Sequence, residues 1–489
     1  MSTTNDQLNA FLTERTEVFR SVEDRQQIWI DDPFDTSTLH AEARDVFTSL
    51  VADVTGPDCP TSGRILLILG DAGAGKTHLI RSFRSYVHKS RAGYLGYLQM
   101  ASGASNYARY VLSNLIDSLD QPYDQEVDSR TSLTRIAGEL AARAFQAHVA
   151  SSLRDDEDFE DQELAEQVRI GADHLLKTRY PELDIDLLRA FLYLHRPDPR
   201  IKSRILKYLR CEDLSQNDRQ RIGDIVPKTD ANDPERMVRS IGRLLAAVGE
   251  TPMSLVLCVD QLEDAFSTER SEQPFIRAMN TLRELAEGLP TAIIVICCLR
   301  NLYEELRPKL SEALRARIEK DPEPVRLRAG VTAEEGKALV GERLRYLYER
   351  AGLPVNGKAD IYPFTQNFFA QRHRISARQL LDACREYRDR CRKAGKLVEL
   401  DVGVEPPPPP SVRENEQAKR TAEWERKWND FLAESHDSPP DEDEELASAL
   451  CWAITCAGAE LKHSGSSVEV TQEESALSVR LKTAGAPDE

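Results

Sequence analysis

The sequence lacks the features that mark membrane and secreted proteins. No apolar run approaches the roughly 18 consecutive residues that a membrane-spanning helix needs, and residues 1–19 are polar and acidic where a signal peptide would be basic and then apolar. The nine cysteines form no C-x-x-C pair and have no histidine cluster nearby, which argues against a disulfide framework and against a zinc site. We therefore expect a cytoplasmic protein with buried, reduced thiols and no membrane partner.

The motifs of several enzyme classes are also missing. Neither G-x-S-x-G nor H-E-x-x-H occurs, and the nine histidines show no metal or catalytic-triad spacing. The N-K-x-D string by which GTPases read guanine is absent, and the nearest string, residues 227–230, lacks its first residue. These absences argue against serine hydrolases, metalloproteases and GTPases.

Length and charge divide the chain unevenly. At roughly 100–200 residues per domain, 489 residues predict two to four domains. The net charge is −18, and the residues from 401 onward carry 20 acidic against 8 basic side chains. Residues 372–396 instead carry nine basic against three acidic side chains on what is predicted to be one helix. This basic helix is either a contact for nucleic-acid phosphates or a solvated surface, and the sequence leaves both open.

Strand and helix patterns alternate along the first 400 residues. Four apolar runs, at 64–70, 93–100, 253–260 and 291–300, are predicted strands, and helical spacing follows each of them. Nearly continuous apolar strands between helices predict an α/β fold, with a parallel sheet covered by helices on both faces. About 130 mostly helical residues separate the second and third strands and predict a packed helical insertion.

Five segments are predicted as domains or linkers. They are an N-terminal arm with helices (1–50), an α/β core (51–330) with the helical insertion at about 120–252, a helical lid (331–400), a proline-rich linker (401–416) and a small acidic C-terminal α+β module (417–489). Five consecutive prolines at 406–410 make the linker stiff. The module contains an apolar helical pattern at 445–461 and two short strand patterns after it.

A glycine-rich loop follows the first predicted strand. Residues 70–77, GDAGAGKT, match G-x-x-x-x-G-K-[ST] between a strand and a helix. Backbone N–H groups of such a loop point at phosphate oxygens, Lys76 reaches the β and γ phosphates, and the Thr77 hydroxyl ligates Mg²⁺. The residues predicted to bind the nucleotide here are Gly70, Gly73, Ala74, Gly75, Lys76, Thr77 and His78. The predicted cofactors are therefore ATP and Mg²⁺.

A carboxylate ends the third predicted strand. Asp260 closes the apolar run SLVLCVD. At the carboxyl end of a parallel strand predicted to neighbour the first, it would lie beside the phosphate loop and hold part of the Mg²⁺ shell. Thr77 and Asp260 are thus the predicted metal-binding residues.

With both motifs in place, residues 40–400 resemble the P-loop ATPases of the AAA+ superfamily and the related STAND class. AAA+ members usually carry a catalytic glutamate directly after the metal-binding aspartate, whereas this chain has Gln261 there. The D-x-x-E spacing is more like that of STAND proteins and implies Glu263 as the general base, with Asp264 as the second candidate. The alternative is that Glu263 only caps the next helix or pairs at the surface.

The same resemblance implies three further site residues. Asn301 falls where AAA+ proteins place a polar sensor of the γ-phosphate, although a strand-end turn explains it equally well. Arg317, with Arg315 as the second candidate, resembles an arginine finger offered to the neighbouring subunit. Arg378 resembles the lid arginine that bends over the nucleotide.

Two functional hypotheses follow. The first is an ATP-hydrolysing switch or motor, assembled as a ring or stack, that remodels a protein effector or a nucleic acid. Its helical insertion resembles those of ATPases in bacterial anti-phage defence systems. The second is a nucleotide-gated signalling scaffold with little or no hydrolysis, as the amide at Gln261 suggests.

Overall fold

The computed structural model describes residues 4–20, 25–100, 106–123, 130–155, 161–265, 272–353, 361–372, 374–400, 451, 466–473 and 476–483. It divides into two units, residues 1–402 and 403–489, which are described separately.

A five-stranded parallel sheet forms the centre of the first unit. Its strands are β1 (Arg64–Gly70), β2 (Gly93–Gln99), β3 (Ser254–Asp260), β4 (Ala292–Leu299) and β5 (Val325–Arg326), in the spatial order β2-β3-β4-β1-β5. Four of these strands are those predicted from the sequence. The two-residue β5 was missed because it carries too few apolar residues to show a pattern. The predicted α/β fold, with helices on both faces of a parallel sheet, is confirmed.

Successive side chains of β1 enter different cores, because side chains alternate across a strand. Ile65, Leu67 and Leu69 belong to the larger hydrophobic cluster. Leu66 and Ile68 belong to a second cluster on the opposite face, together with the helices that flank the phosphate loop. Both faces are buried, which is why the strand reads as an unbroken apolar run.

The helices cover both faces of the sheet and build the lid. They are α1 (Thr4–Thr13), α2 (Ala41–Thr55), α3 (Lys76–Lys89), α4 (Tyr107–Leu119), α5 (Ser132–Ala144), α6 (Ala147–Asp155), α7 (Asp161–Thr178), α8 (Ile185–Tyr193), α9 (Pro199–Leu209), α10 (Gln216–Gln220), α11 (Asp233–Val248), α12 (Glu272–Glu287), α13 (Arg300–Leu306), α14 (Glu312–Glu319), α15 (Ala333–Arg350), α16 (Gln366–Gln371) and α17 (Ala377–Ala394). Among these described helices, none has the length and apolar character needed to cross a membrane.

The segment between β2 and β3 packs as a helical body. Leu187, Leu188 and Phe191 of α8 are buried in the same cluster as one face of the sheet. These residues lie on one face of α8, and the burial of that face explains why apolar residues recur at helical spacing in this segment. The insertion therefore extends the core of the sheet.

The basic helix predicted at 372–396 is present, but its predicted first residue is wrong. The helix α17 starts only at Ala377, capped by the Ser376 side chain, which accepts a hydrogen bond from the Gln379 N–H. Arg374 lies before it with a φ of 81°, a left-handed conformation that cannot continue a helix. The basic residues of α17 also do not all lie on the surface, because Arg388 is buried.

The N-terminal arm packs on the lid. Arg388 of α17 is 1% exposed and donates hydrogen bonds to the carbonyl oxygens of Phe11 (3.0 Å), Glu14 (2.5 Å) and Thr16 (2.7 Å). These three bonds satisfy the buried guanidinium and fix the arm. The arm thus joins the lid, a contact that the sequence did not indicate.

The second unit is described only in part. Strands β6 (Ser466–Glu473) and β7 (Ala476–Thr483) pair in antiparallel register, as the two short strand patterns predicted. The predicted linker and most of the helix predicted at 445–461 lie outside the described residues.

The boundary between the two units gives a testable prediction. A chain truncated after Val404 is expected to fold and to keep its unfolding midpoint, because every described core contact of the first unit lies before it. Thermal unfolding followed by circular dichroism measures this. As a control, truncation after Leu380 removes the Arg388 contacts and is expected to destabilise the lid. A large loss of stability in the Val404 truncation would show that the boundary is misplaced.

Candidate functional site

The glycine-rich loop turns sharply between β1 and α3. Gly73 and Gly75 have φ values of 75° and 91°, which L-residues with a side chain rarely adopt. Gly75 is the N-cap of α3, so the N–H groups of the first helical turn face the loop. The loop therefore has the geometry of an anion cradle.

A histidine lies under this loop. A Cβ on Gly75 would come within 3.1 Å of the His40 Nε2 atom, so the imidazole occupies the space that a side chain would need. Burial lowers the pKa of His40, which favours the neutral ring. The ring of His40, the residue just before α2, thus packs against the loop.

Lys76 is held inside the loop. Its side chain is 8% exposed, and Nζ donates to the carbonyl oxygens of Gly70 (3.0 Å) and Asp71 (3.2 Å). An ammonium group directed into the cradle offers a positive charge to a bound phosphate. The structure thus places Lys76 in the loop, and its contact with the β and γ phosphates stays a prediction.

The loop and β3 meet through a hydrogen bond. The Thr77 hydroxyl donates to Asp260 Oδ2 at 2.7 Å, and the Tyr97 hydroxyl lies 3.3 Å from the same oxygen. Asp260 is 1% exposed. The expectation that β3 neighbours β1 is wrong, because β4 lies between them. Thr77, at the start of α3, reaches across β4 to the carboxylate.

The hydroxyl and carboxylate oxygens suit Mg²⁺. This ion prefers oxygen ligands and usually binds through one or two carboxylates together with substrate phosphates. Thr77 and Asp260 supply one hydroxyl and one carboxylate at the mouth of the phosphate loop. The residues therefore fit the group that the sequence predicts.

Glu263 lies at the same edge of the sheet. Its Oε2 accepts a hydrogen bond from the Leu299 N–H at 3.2 Å. Burial raises the pKa of Glu263, and the nearby Lys76 charge opposes that rise. A half-buried carboxylate with a raised pKa suits a general base. Burial also raises the pKa of Asp264, but Asp264 does not line the cavity described next.

These residues line one cavity of about 370 Å³. That volume falls within the range of small-molecule sites. Its wall combines the phosphate loop from Ala72 to His78 with Asp260, Gln261 and Glu263, and Leu339, Arg343 and Arg378 approach from the lid. A Cβ on Gly73 would lie 3.8 Å from the Arg378 Nε atom. Arg378 of the lid therefore lies beside the loop, and its contact with the nucleotide stays a prediction.

His78 lies between two acidic side chains. Its Nδ1 is 3.2 Å from Asp32 Oδ2, and its Nε2 is 3.3 Å from Asp35 Oδ1. Despite burial, which opposes the shift, hydrogen bonds from His78 and Arg44 lower the pKa of Asp35. His78 thus links the start of α3 to the N-terminal arm, and its nucleotide contact stays a prediction.

Two predicted residues lie away from the cavity. Asn301 is exposed in the first turn of α13 and does not line the cavity. Arg317 donates to Ser62 Oγ at 2.7 Å and to the Gly63 carbonyl at 2.5 Å. Ser62 and Gly63 precede β1, whereas the phosphate loop follows β1. The length of this strand, about 20 Å, therefore separates Arg317 from the phosphate loop of the same chain. Within one chain, these two residues do not join the other predicted site residues.

Several residues from outside the predicted motifs also line the cavity. Arg20 and Leu39 come from the N-terminal arm, and Arg343 and Leu381 come from the lid. Arg343 is 6% exposed, and its guanidinium lies 4.9 Å from the centre of the Phe34 ring. No motif marks these positions, since each reaches the site only through tertiary packing.

Comparison with known proteins identifies the family. A family model described as AAA ATPase domain matches residues 43–296, more than half of the chain. The Aeropyrum pernix Orc1 protein in complex with DNA aligns at 13% identity over 94% of each chain with a TM-score of 0.31, a likeness too low to bear on function. No curated protein sequence matches the chain. With its match over more than half the length, the chain belongs to the AAA ATPase domain family.

Proposed function

We propose that this protein binds ATP with Mg²⁺ and hydrolyses it, as a switch or motor acting on a partner. The 2.7 Å hydrogen bond from Thr77 to Asp260 carries this proposal, because it joins the phosphate loop to the carboxylate of β3 at the entrance of the cavity. Thr77 and Asp260 would hold Mg²⁺, which would supply positive charge against the negative charge that develops on the phosphates. Lys76 and the loop N–H groups hold the phosphates.

The remaining cavity residues have complementary roles in this proposal. Glu263 accepts a proton from the attacking water, since its carboxylate is half-buried beside Lys76. Arg378 lies against Gly73 and contacts phosphate from the lid. Leu39, Leu339 and Leu381 provide an apolar surface for the adenine ring.

Self-association into a ring or stack is part of the proposal. Arg317, or Arg315 beside it on α14, would then stabilise the transition state at the neighbouring subunit's nucleotide. A protein effector, in the setting of bacterial anti-phage defence, is the partner that the resemblance of the insertion implies.

Nucleic acid is a second candidate partner. Arg385, Arg390, Arg392, Lys393 and Lys396 are exposed on or just after α17. A few such contacts would give weak, strongly salt-dependent binding. Arg388 is excluded from this role by its burial.

The signalling scaffold without turnover has one observation in its favour. Gln261 lines the cavity directly after Asp260, adopts a φ of 52°, and accepts a hydrogen bond from the Gln99 amide. An amide at this position cannot accept a proton from water. Phosphate release by the purified protein, with and without nucleic acid, separates the scaffold from the motor.

Replacement of Lys76 by alanine tests the nucleotide site. ATP affinity is expected to fall by roughly 1.5–3 kcal/mol, because the variant loses a charge-assisted contact while the backbone cradle stays. Isothermal titration calorimetry with Mg·ATP measures the change. Lys177→Ala, at an exposed position near the end of α7, is the matched control. Equal affinity of the Lys76 variant and the parent would show that ATP binds elsewhere.

A further inference from the structure

A buried tyrosine of β2 reaches the carboxylate at the end of β3. The Tyr97 hydroxyl lies 3.3 Å from Asp260 Oδ2, and the two residues are only 3% and 1% exposed. Asp260 is one of the two residues whose oxygens suit Mg²⁺ beside the phosphate loop. Tyr97 itself does not line the nucleotide cavity. Its hydroxyl therefore acts on the site through Asp260.

The register of the sheet explains this contact. β2 and β3 are parallel, with Tyr97 opposite Cys258. Cys258 and Asp260 are two residues apart, and side chains at that spacing share one face of a strand. Tyr97, Cys258 and Asp260 therefore lie on the same face of the sheet, where the first two belong to the second hydrophobic cluster. The tyrosine ring packs in this core, and its hydroxyl extends to the carboxylate.

The main chain of Tyr97 is fixed from the other side. β2 is an edge strand of the five-stranded sheet, and Ser118 of α4 contacts the Tyr97 main chain there. The Ser118 Oγ atom accepts from the Tyr97 N–H at 2.9 Å and lies 3.2 Å from the Tyr97 carbonyl oxygen. With its main chain held and its ring buried, the side chain has little freedom left. The hydrogen bond to Asp260 therefore costs little further entropy.

Both oxygens of the Asp260 carboxylate accept hydrogen bonds. Oδ2 accepts from the hydroxyls of Thr77 and Tyr97, and Oδ1 accepts from the Gln261 N–H at 3.0 Å. The Thr77 oxygen is itself a proposed metal ligand, and Gln261 is the residue next to Asp260. Of these three donors, Tyr97 is the one that belongs to a neighbouring strand. It can therefore hold the carboxylate in a fixed orientation relative to the sheet.

From this arrangement we infer that Tyr97 is a positioning residue that orients the Asp260 carboxylate for Mg²⁺. Groups that hydrogen-bond to a metal ligand fix its orientation, and their loss typically weakens metal binding by about 10–100-fold. The inference rests on the proposed function, because it requires that Asp260 holds the ion. It adds a residue of β2 to a site otherwise built from the phosphate loop, the end of β3 and the lid.

Replacement of Tyr97 by phenylalanine isolates the hydroxyl. The two rings have the same shape, so the variant keeps the packing of the second hydrophobic cluster. It loses the hydrogen bond to Asp260, whereas the bonds from Thr77 and the Gln261 N–H remain. The expected defect is therefore a less well oriented carboxylate in an otherwise intact site.

Calorimetry on the full chain tests this role without turnover. Affinity for the non-hydrolysable analogue AMP-PNP is measured in EDTA and at a series of free Mg²⁺ concentrations. Tyr97→Phe should bind AMP-PNP in EDTA as the parent does, but should require about tenfold more free Mg²⁺ to reach its full affinity. An unchanged Mg²⁺ dependence would overturn the inference. So would an equal loss of affinity with and without Mg²⁺, because that result indicates a packing defect.

Two further variants locate the effect. Tyr94→Phe makes the same change on the opposite face of β2, in the larger hydrophobic cluster, and should leave the Mg²⁺ dependence unchanged. In an Asp260→Asn background, Tyr97→Phe should change the Mg²⁺ dependence less than about twofold, because the carboxylate that it orients is gone. A full effect in that background, or an equal effect of Tyr94→Phe, would show that the hydroxyl does not act through Asp260 and would overturn the inference.

The parent protein separates this inference from the proposed function. If the parent binds AMP-PNP more tightly with Mg²⁺ than in EDTA, the proposed nucleotide site is supported, and the Tyr97→Phe result alone decides the role of Tyr97. If the parent binds no AMP-PNP, or if Mg²⁺ has no effect on that binding, the proposed function fails and the inference fails with it.

Discussion

A Glu263→Gln variant is expected to bind Mg·ATP as tightly as the parent and to hydrolyse it at least about a hundredfold more slowly. The amide preserves size and can still accept the hydrogen bond from the Leu299 N–H. It cannot accept a proton from the attacking water, so the chemical step stalls while binding remains. Calorimetry and single-turnover phosphate release measure the two effects separately.

The pH dependence gives a second signature of Glu263. Burial raises the pKa of this carboxyl, and only the deprotonated form acts as a base. Turnover should therefore fall with decreasing pH at a higher value than an ordinary glutamate would give, and it should be fully present above that pKa. Glu304→Gln, at an exposed position of α13, is the control. A fully active Glu263→Gln protein, with activity lost in Asp264→Asn, would move the base to Asp264.

An Arg317→Ala variant is expected to keep its ATP affinity and to lose at least about a hundredfold in turnover. In related phosphoryl-transfer systems an arginine finger contributes about 10³–10⁵ in rate. The contacts of Arg317 with Ser62 and Gly63 mean that the variant should also be less stable. Thermal unfolding and phosphate release must therefore be measured together.

Two comparisons separate the finger from a structural role. Ser62→Ala removes one of the Arg317 contacts without removing the charge, so it should lower stability slightly and leave turnover intact. Mixed Arg317→Ala and Lys76→Ala chains should recover part of the activity, because some interfaces then pair an intact finger with an intact loop. Full activity of Arg317→Ala, or a turnover loss reproduced by Ser62→Ala, would assign Arg317 to the support of α14.

The local sequence determined the phosphate loop and the strands around it. Two glycines with positive φ, an apolar strand before them and a helix after them are properties of adjacent residues, so a pattern of eight positions was enough to locate them. Asp260 could be found in the same way, because it ends a strand that is buried along its whole length. Each of these features depends on the backbone of a single segment.

Tertiary structure alone decided the order of the strands and which residues from the N-terminal arm and the lid line the cavity. Nothing within β3 or β4 indicates that β4 lies beside β1, since both strands are equally apolar. His40 and Arg388 have no motif, and their contacts join residues far apart in the sequence. A sequence pattern reports burial and backbone shape, whereas the choice of partner depends on which surfaces meet when the whole chain packs.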